Sequence, residues 1–201
     1  MADPTSSTTD REIVVLALRE RAFFGHIVER YQAKLDRYIT RLGVRNTEDR
    51  EDVLQEIFIK VYKNLNDFDP SLSFSSWIYR IAHNEAISWY RKLKVRPEGY
   101  LVGESDAVIS MIGDDKEDAE TRFDRAIEAE ELLSALEKLD AKYRDVLILR
   151  YFEHLEYEDI SDILQMPIGT VGTLVHRAKK QLRSQLSANA VLETPPEKSK
   201  N

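Results

Sequence analysis

Along the chain, apolar residues recur at spacings of three and four, the period of a helix buried on one side. Phe24, Ile27, Val28, Tyr31, Leu35, Ile39 and Leu42 form one such stripe, and Gly43 is placed to end it. A second stripe follows "NTED": Val53, Leu54, Ile57, Phe58, Val61 and Leu65, with Asp52, Gln55, Glu56, Ile59 and Lys63 along the other side. Pro70, in "NDFDPSLS", breaks that helix, and Ser73 or Ser75 stands where the next would be capped. In "FSSWIYRIAHNEAISWYRK" the residues Ile78, Ile81, Ala82, Ala86 and Trp89 share one side, with Leu93 just beyond, and Trp77, Arg80, Asn84, Ser88 and Arg91 share another. Period-two alternation and hairpin dipeptides are nearly absent, so the expected fold is all-α.

After Arg96 the periodicity fails. "PEGYLVGESDAVISMIGDDKEDAET" mixes Gly, Pro, Ser and acids with isolated apolar residues and reads as a linker over 97–123. Helical spacing resumes with Leu132, Leu133, Leu136 and Leu139, and again with Tyr143, Val146, Leu147, Arg150 and Tyr151. In "YEDISDILQMPIGTVGTLVHRAKKQLRSQL", Ile160, Ile163 and Leu164 bury a short helix, "QMP" supplies a turn, and Val171, Val175, Ala178 and Leu182 bury a second helix against the first. That is a helix-turn-helix. The expected organisation is a flexible extension over 1–20, a helical domain over 21–96, the linker, a second helical domain over 124–187 and a disordered tail over 188–201.

Charge changes this picture. The chain of 201 residues carries a net −7, which on its face argues against a nucleic-acid partner. Distribution reverses that inference: Glu98 to Glu131 holds 12 acidic and 3 basic residues, leaving the remainder of the chain slightly positive. Between Phe74 and Arg96 five cations face Glu85 alone, and between Thr170 and Ser187 the cations Arg177, Lys179, Lys180 and Arg183 face no acid. The tryptophan-bearing helix thus offers a ring, cations and a side-chain amide on one face, which suits unstacked bases and their phosphates. The second helix of the helix-turn-helix is basic and suits duplex DNA.

Other chemistries find little support. No Gly-rich phosphate cradle occurs, and although Glu48, Asp49, Asp52, Glu56 and His83 are candidate ligands, neither Glu-x-x-His nor His-x-x-x-His is present, so neither catalysis nor a metal or other cofactor is expected. There is no cysteine, no apolar run approaching the roughly 20 residues of a membrane span, and only a polar start in "MADPTSSTTDREI", so a cytoplasmic protein without membrane insertion is expected.

In order, then, the chain has a helix suited to single strands, an acidic linker and a duplex-reading helix-turn-helix. It resembles the extracytoplasmic-function sigma factors, which keep only the domains called region 2 and region 4. "DVLQEIFIKVYKNLNDFD" is similar to region 2.2, "FSSWIYRIAHNEAISWYRK" to regions 2.3 and 2.4, and the stretch from "LEKLDAKYRDV" to "HRAKKQL" to regions 4.1 and 4.2. The resemblance implies a promoter-specificity factor that captures the melted −10 element through Phe68, Trp77, Tyr79, Arg80 and Asn84, with Arg91 on the same helix, and a flipped base received by the loop from Asp67 to Phe74. It implies docking of Asp52, Gln55, Glu56, Ile59 and Lys63 on the β′ clamp helices of core RNA polymerase, and of the second domain on the β flap. The −35 element would be read by Thr170, Thr173, His176, Arg177 and Lys180. Where the family commonly has a basic residue, Ser and Arg after "GTV", this chain has Gly172, Thr173 and Leu174, and His154 replaces a helix-ending Gly. An anti-sigma partner holding the two domains clamped together is also implied. The alternative is a stand-alone helix-turn-helix regulator with an N-terminal dimerisation or sensor domain, which leaves Trp77 to Arg91 unexplained.

Overall fold

The computed structural model describes residues 8–69, 72–95 and 132–192, and the described residues contain helices and turns but no strand. The linker at 97–123, the start of the second domain at 124–131 and the tail beyond Leu192 lie outside them.

The first helix, α1 (Asp10–Arg19), stands within the segment expected to be a flexible extension. Two things fix it. Thr9 and Glu12 form a capping box, Glu12 N–H donating to Thr9 Oγ1 at 3.3 Å and Thr9 N–H to Glu12 Oε2 at 2.7 Å. Ile13, Val14 and Ala17 then bury against the next helix, Ile13 and Val14 each contributing about 1.5–3 kcal/mol and the Ala17 methyl less. Asp10 locks the junction, accepting from Arg30 Nη1 at 2.8 Å and from the Tyr31 hydroxyl at 2.5 Å.

Helix α2 (Phe24–Arg41) buries Ile27, Tyr31, Leu35, Tyr38 and Ile39. It ends at Gly43, whose φ of 109° is left-handed, and a Cβ built there would lie 2.0 Å from the Tyr90 hydroxyl oxygen, so any side chain here is strained by the backbone angle and must displace the Tyr90 ring. Asn46 caps α3 (Thr47–Asn64), accepting from Asp49 N–H at 3.2 Å, and Val53, Leu54, Ile57 and Val61 face the core. Ser73, the nearer of the two expected caps, accepts from Ser76 N–H at 3.2 Å and starts α4 (Phe74–Val95). Helices α2, α3 and α4 pack on one another, and α1 lies across α2 and the beginning of α4.

In the C-terminal half, residues 132–137 are helical (α5) and bury Leu133 and Leu136. Helix α6 (Ala141–Leu147) widens into a π turn over Ile148–Phe152, and α7 (Tyr157–Leu164) and α8 (Ile168–Leu192) follow. Thus α8 extends into the segment expected to be a disordered tail, as far as Leu192. Val146, Leu147, Ile148, Leu149, Ile160, Ile163, Val171, Val175 and Ala178 are all buried, which joins α6, α7 and α8 around one core.

Among the described residues, two non-glycine residues take left-handed backbone, His154 (φ 55°) and Gln165 (φ 53°). Gln165 sits in the "QMP" turn, and its Nε2 donates to Asp162 O at 2.6 Å. His154 does the work of the glycine it replaces: beside it Glu153 N–H donates to Ile148 O and Leu155 N–H to Leu149 O, both at 3.1 Å, closing the π turn. Its exposed side chain has no hydrogen bond within the described residues to offset the backbone cost. His154→Gly is therefore expected to stabilise the protein by about 1 kcal/mol in chemical denaturation, and an unchanged or lower midpoint would contradict the strain argued here.

Candidate nucleic-acid interface

Helix α4 presents three faces. Ile78, Ala82 and Ala86 are buried toward α3, with Trp89 packed beside them. Ser76, Tyr79 and His83 face the C-terminal domain. Trp77, Arg80, Asn84 and Arg91, at helical spacing, share the third, where Asn84 and Arg91 are exposed and Trp77 and Arg80 half-buried.

The six residues expected to meet the −10 element are therefore not all together. Trp77 lies on a stack of rings, 5.2 Å from Phe68 and 5.6 Å from Phe74, with Phe68 and Phe74 edge-on at 5.3 Å. Phe68 is only 5% exposed, so it stands beneath Trp77 as its support and presents no ring surface of its own. Tyr79 faces elsewhere: its ring meets Tyr38 at 5.1 Å and its hydroxyl donates to Glu153 Oε2 at 2.7 Å. Burial and the adjacent Glu153 carboxylate push the Tyr79 hydroxyl pKa up, which keeps it a donor.

That contact belongs to a seam between the two halves of the chain. Glu153 also receives Arg41 Nη1 at 2.7 Å, with the two side chains only 10% and 6% exposed, and the Arg41 guanidinium lies 4.9 Å from the Phe152 ring centre. Arg45 meets Glu137 at 2.6 Å, and the Ser76 hydroxyl donates to Asp159. At the same seam His83 Nδ1 lies 3.1 Å from the Tyr38 hydroxyl, and its Nε2 lies 3.8 Å from Asp145, which Arg144 also approaches at 3.3 Å. In every contact that crosses between the two domains the acid comes from the C-terminal domain and the cation or hydroxyl from the N-terminal one, while Arg144 adds a C-terminal cation beside Asp145. The sequence pattern pointed to none of these carboxylates, because their partners lie up to 112 positions away.

In the helix-turn-helix, Thr170, Thr173, His176, Arg177 and Lys180 are all exposed along the outer side of α8, opposite buried Val171, Val175 and Ala178. A Cβ at Gly172 would lie 3.6 Å from the Tyr157 ring, an ordinary contact, and one at Gly169 would meet nothing within 4 Å. Neither glycine is required by packing.

The third group, Asp52, Gln55, Glu56, Ile59 and Lys63, is an exposed ridge along α3, with Ile59 half-buried. Depressions flank it on both sides. One, of about 390 Å³, is lined by Asp49, Glu56, Glu85, Trp89 and Lys92, and the other, of about 440 Å³, by Phe24, Phe58, Ile59 and Tyr62. On the C-terminal domain, Leu132, Leu136, Leu147, Tyr151, Phe152 and Leu182 line an apolar groove of about 270 Å³ with Lys179 at its edge. The grooves escaped a reading based on single-helix periodicity because each is built between helices.

Removing one partner of a buried ion pair costs about 3–5 kcal/mol. Glu153→Gln is accordingly expected to part the two domains, read as a larger radius of gyration by small-angle scattering, and an unchanged radius would show that the seam does not depend on this residue. Acid should act in the same direction through His83. Burial lowers its pKa below 6.5, so the open form binds the extra proton and falling pH favours opening from about 6.5 downward. Asp145 acts in the opposite sense, since burial raises its pKa and its protonation as the pH falls favours closure. Expansion between pH 7.5 and 5.5, abolished by His83→Gln, is the expected outcome.

Comparison with known proteins gives this geometry its context. Residues 27–96 match the family model described as Sigma-70 region 2, and residues 129–182 match that described as Sigma-70, region 4. The chain is 36% identical to the ECF RNA polymerase sigma factor SigW of Bacillus subtilis over 81% of its own length and 88% of that protein's. It is 31% identical to the ECF RNA polymerase sigma-E factor of Haemophilus influenzae, over 83% and 89%. Among solved structures, the sigma factor RpoE in complex with the anti-sigma factor NepR from Bartonella quintana is similar in fold, with a TM-score of 0.63, 20% identity and coverage of 82% of this chain and 96% of that one. With both sigma regions matched in order and relatives above 30% identity over most of their length, the chain belongs to the extracytoplasmic-function sigma factors.

Proposed function

We propose that this sigma factor directs core RNA polymerase to promoters by dividing recognition between the third face of α4 and the outer face of α8. The observation that carries this reading is the shared face of exposed Asn84 and Arg91 and half-buried Trp77 and Arg80, a ring over an aromatic foundation with cations and an amide around it. Such a face stacks a base and neutralises the phosphates beside it. Asn84 adds amide donors and acceptors for a base edge. Capturing unstacked bases of the −10 element holds the duplex open, so recognition and melting become one event.

The outer face of α8 would enter the major groove of the −35 element, with Arg177 and Lys180 on phosphates and Thr170, Thr173 and His176 nearer the bases. The ridge on α3, with a depression on either side, suits a pair of helices, and we assign it to the β′ clamp helices. The apolar groove edged by Lys179 suits the β flap. No step in this scheme calls for a cofactor. Family membership disfavours the stand-alone regulator, which leaves the face of α4 without a task.

The seam gives the molecule a closed form in which Tyr79 and Ser76 are buried against Glu153 and Asp159. We assign to this form the inactive state, and to an anti-sigma partner the role of holding it closed. RpoE, crystallised with its anti-sigma factor, has the same fold.

Run-off transcription of genomic DNA with core polymerase is expected to yield new start sites sharing −10 and −35 motifs when this protein is added. Trp77→Ala should lower output from duplex promoters about tenfold or more, the cost of one lost base stack, while Trp77→Phe retains most of it. No dependence on the ring at position 77 would sink the assignment of α4. Gly172→Lys is expected to tighten −35 binding and steepen its salt dependence by about one released counterion, and unchanged affinity would count against the placement of α8.

A further inference from the structure

The outer face of α8 has an unusual composition for a duplex-reading helix. Its first cation is Arg177, so the turns preceding it, from Ile168 to His176, hold neither Lys nor Arg. Guanine is read most strongly by the paired donors of Arg or Lys, and nothing at this end of the helix supplies them. Thr173 stands at the centre of the face, opposite buried Val171, Val175 and Ala178. Four residues before it Gly169 has no side chain and no neighbour within 4 Å of where one would start, leaving the helix backbone bare for a close approach.

The hydroxyl of Thr173 is already engaged: Oγ1 donates to Gly169 O at 2.9 Å, one turn back along the helix. With its proton given to the backbone, the side chain has no donor left for the N7 or O6 acceptors of a purine. The oxygen keeps acceptor capacity alone, of no use toward a purine N7 or O6, and the methyl group is left as the apolar contact. In the major groove the apolar feature that distinguishes one base from the others is the thymine 5-methyl, and a threonine methyl is a natural contact for it.

We propose that Thr173 is a specificity determinant that reads a thymine 5-methyl group, its hydroxyl serving the helix and not the base. This rests on the assignment of α8 to duplex recognition above. The preference so created is for thymine against cytosine at one position of the site, and it is independent of the phosphate contacts made by Arg177 and Lys180.

The test uses the full chain, because Thr173 and its neighbours are exposed while the seam is closed. Duplexes with a randomised segment are selected on it, the enriched site is resynthesised with each thymine replaced in turn by deoxyuridine, and binding is followed by fluorescence anisotropy. One replacement is expected to weaken wild-type binding about fourfold, the ratio that corresponds to one methyl group withdrawn from water. Thr173→Val, which keeps the methyl and discards the hydroxyl, should preserve that ratio. Thr173→Ser, which does the reverse, should bind the thymine and uracil sites alike. Discrimination that survives in Thr173→Ser but disappears in Thr173→Val would overturn the proposal in favour of hydroxyl readout, as would an enriched site indifferent to every replacement. Failure to enrich any sequence, with only salt-dependent binding, would overturn duplex recognition by α8 itself and this inference with it.

Discussion

A carboxylate enclosed between a guanidinium and a phenol organises this molecule. Glu153 comes from the end of the π turn in the C-terminal domain, while Arg41 and Tyr79 come from two different helices of the N-terminal one. Three elements are thereby fixed relative to each other by one buried charge, and around it Ser76, His83 and Arg45 find their own acidic partners. A pair so enclosed has a net value near zero against hydrophobic packing, yet losing either partner is expensive. It therefore makes the contact conditional: stable while complete, and sensitive to anything that competes for Arg41 or Tyr79.

The sign of the charges follows the same division. The N-terminal domain contributes cations and hydroxyls to the seam and the C-terminal domain contributes carboxylates, so the two halves complement each other before any partner is considered. This is why a net charge of −7 says so little about the chain's ligands. Acid is concentrated in the linker and on the seam-facing side of one domain, while the cations of α8, Arg177, Lys179 and Lys180, are exposed and take no part in the seam contacts described above.

Much of this was legible from the order of residues. The stripes of α2, α3 and α4, the stop at Gly43, the cap at Ser73 and the "QMP" turn all follow from local rules, and the structure has them where the spacing puts them. Helix α1 had a signal as well, since Thr9-x-x-Glu12 precedes an apolar run, but its polar lead-in suggested an extension. The seam had no signal. Periodicity sorts residues around one helix axis and identifies which side is buried, but it does not say what covers that side; the family resemblance sets Tyr79 beside Trp77, and the two point to different neighbours. Grooves between helices were hidden for the same reason.

The glycines of the chain divide in a way that bears on how such a factor diverges. Gly43 is held by its own backbone angle, and a side chain there would also displace the Tyr90 ring, so substitution carries a strain that this scaffold avoids by keeping glycine. Gly169 and Gly172 are under no such restraint, for one has open space around it and the other an ordinary aromatic neighbour. Substitutions there alter what the outer face of α8 presents and leave the core that holds it untouched. On the assignment of α8 proposed above, the surface that selects promoters is also the one most free to drift, and a duplicated copy can acquire a new set of promoters without first relearning how to fold.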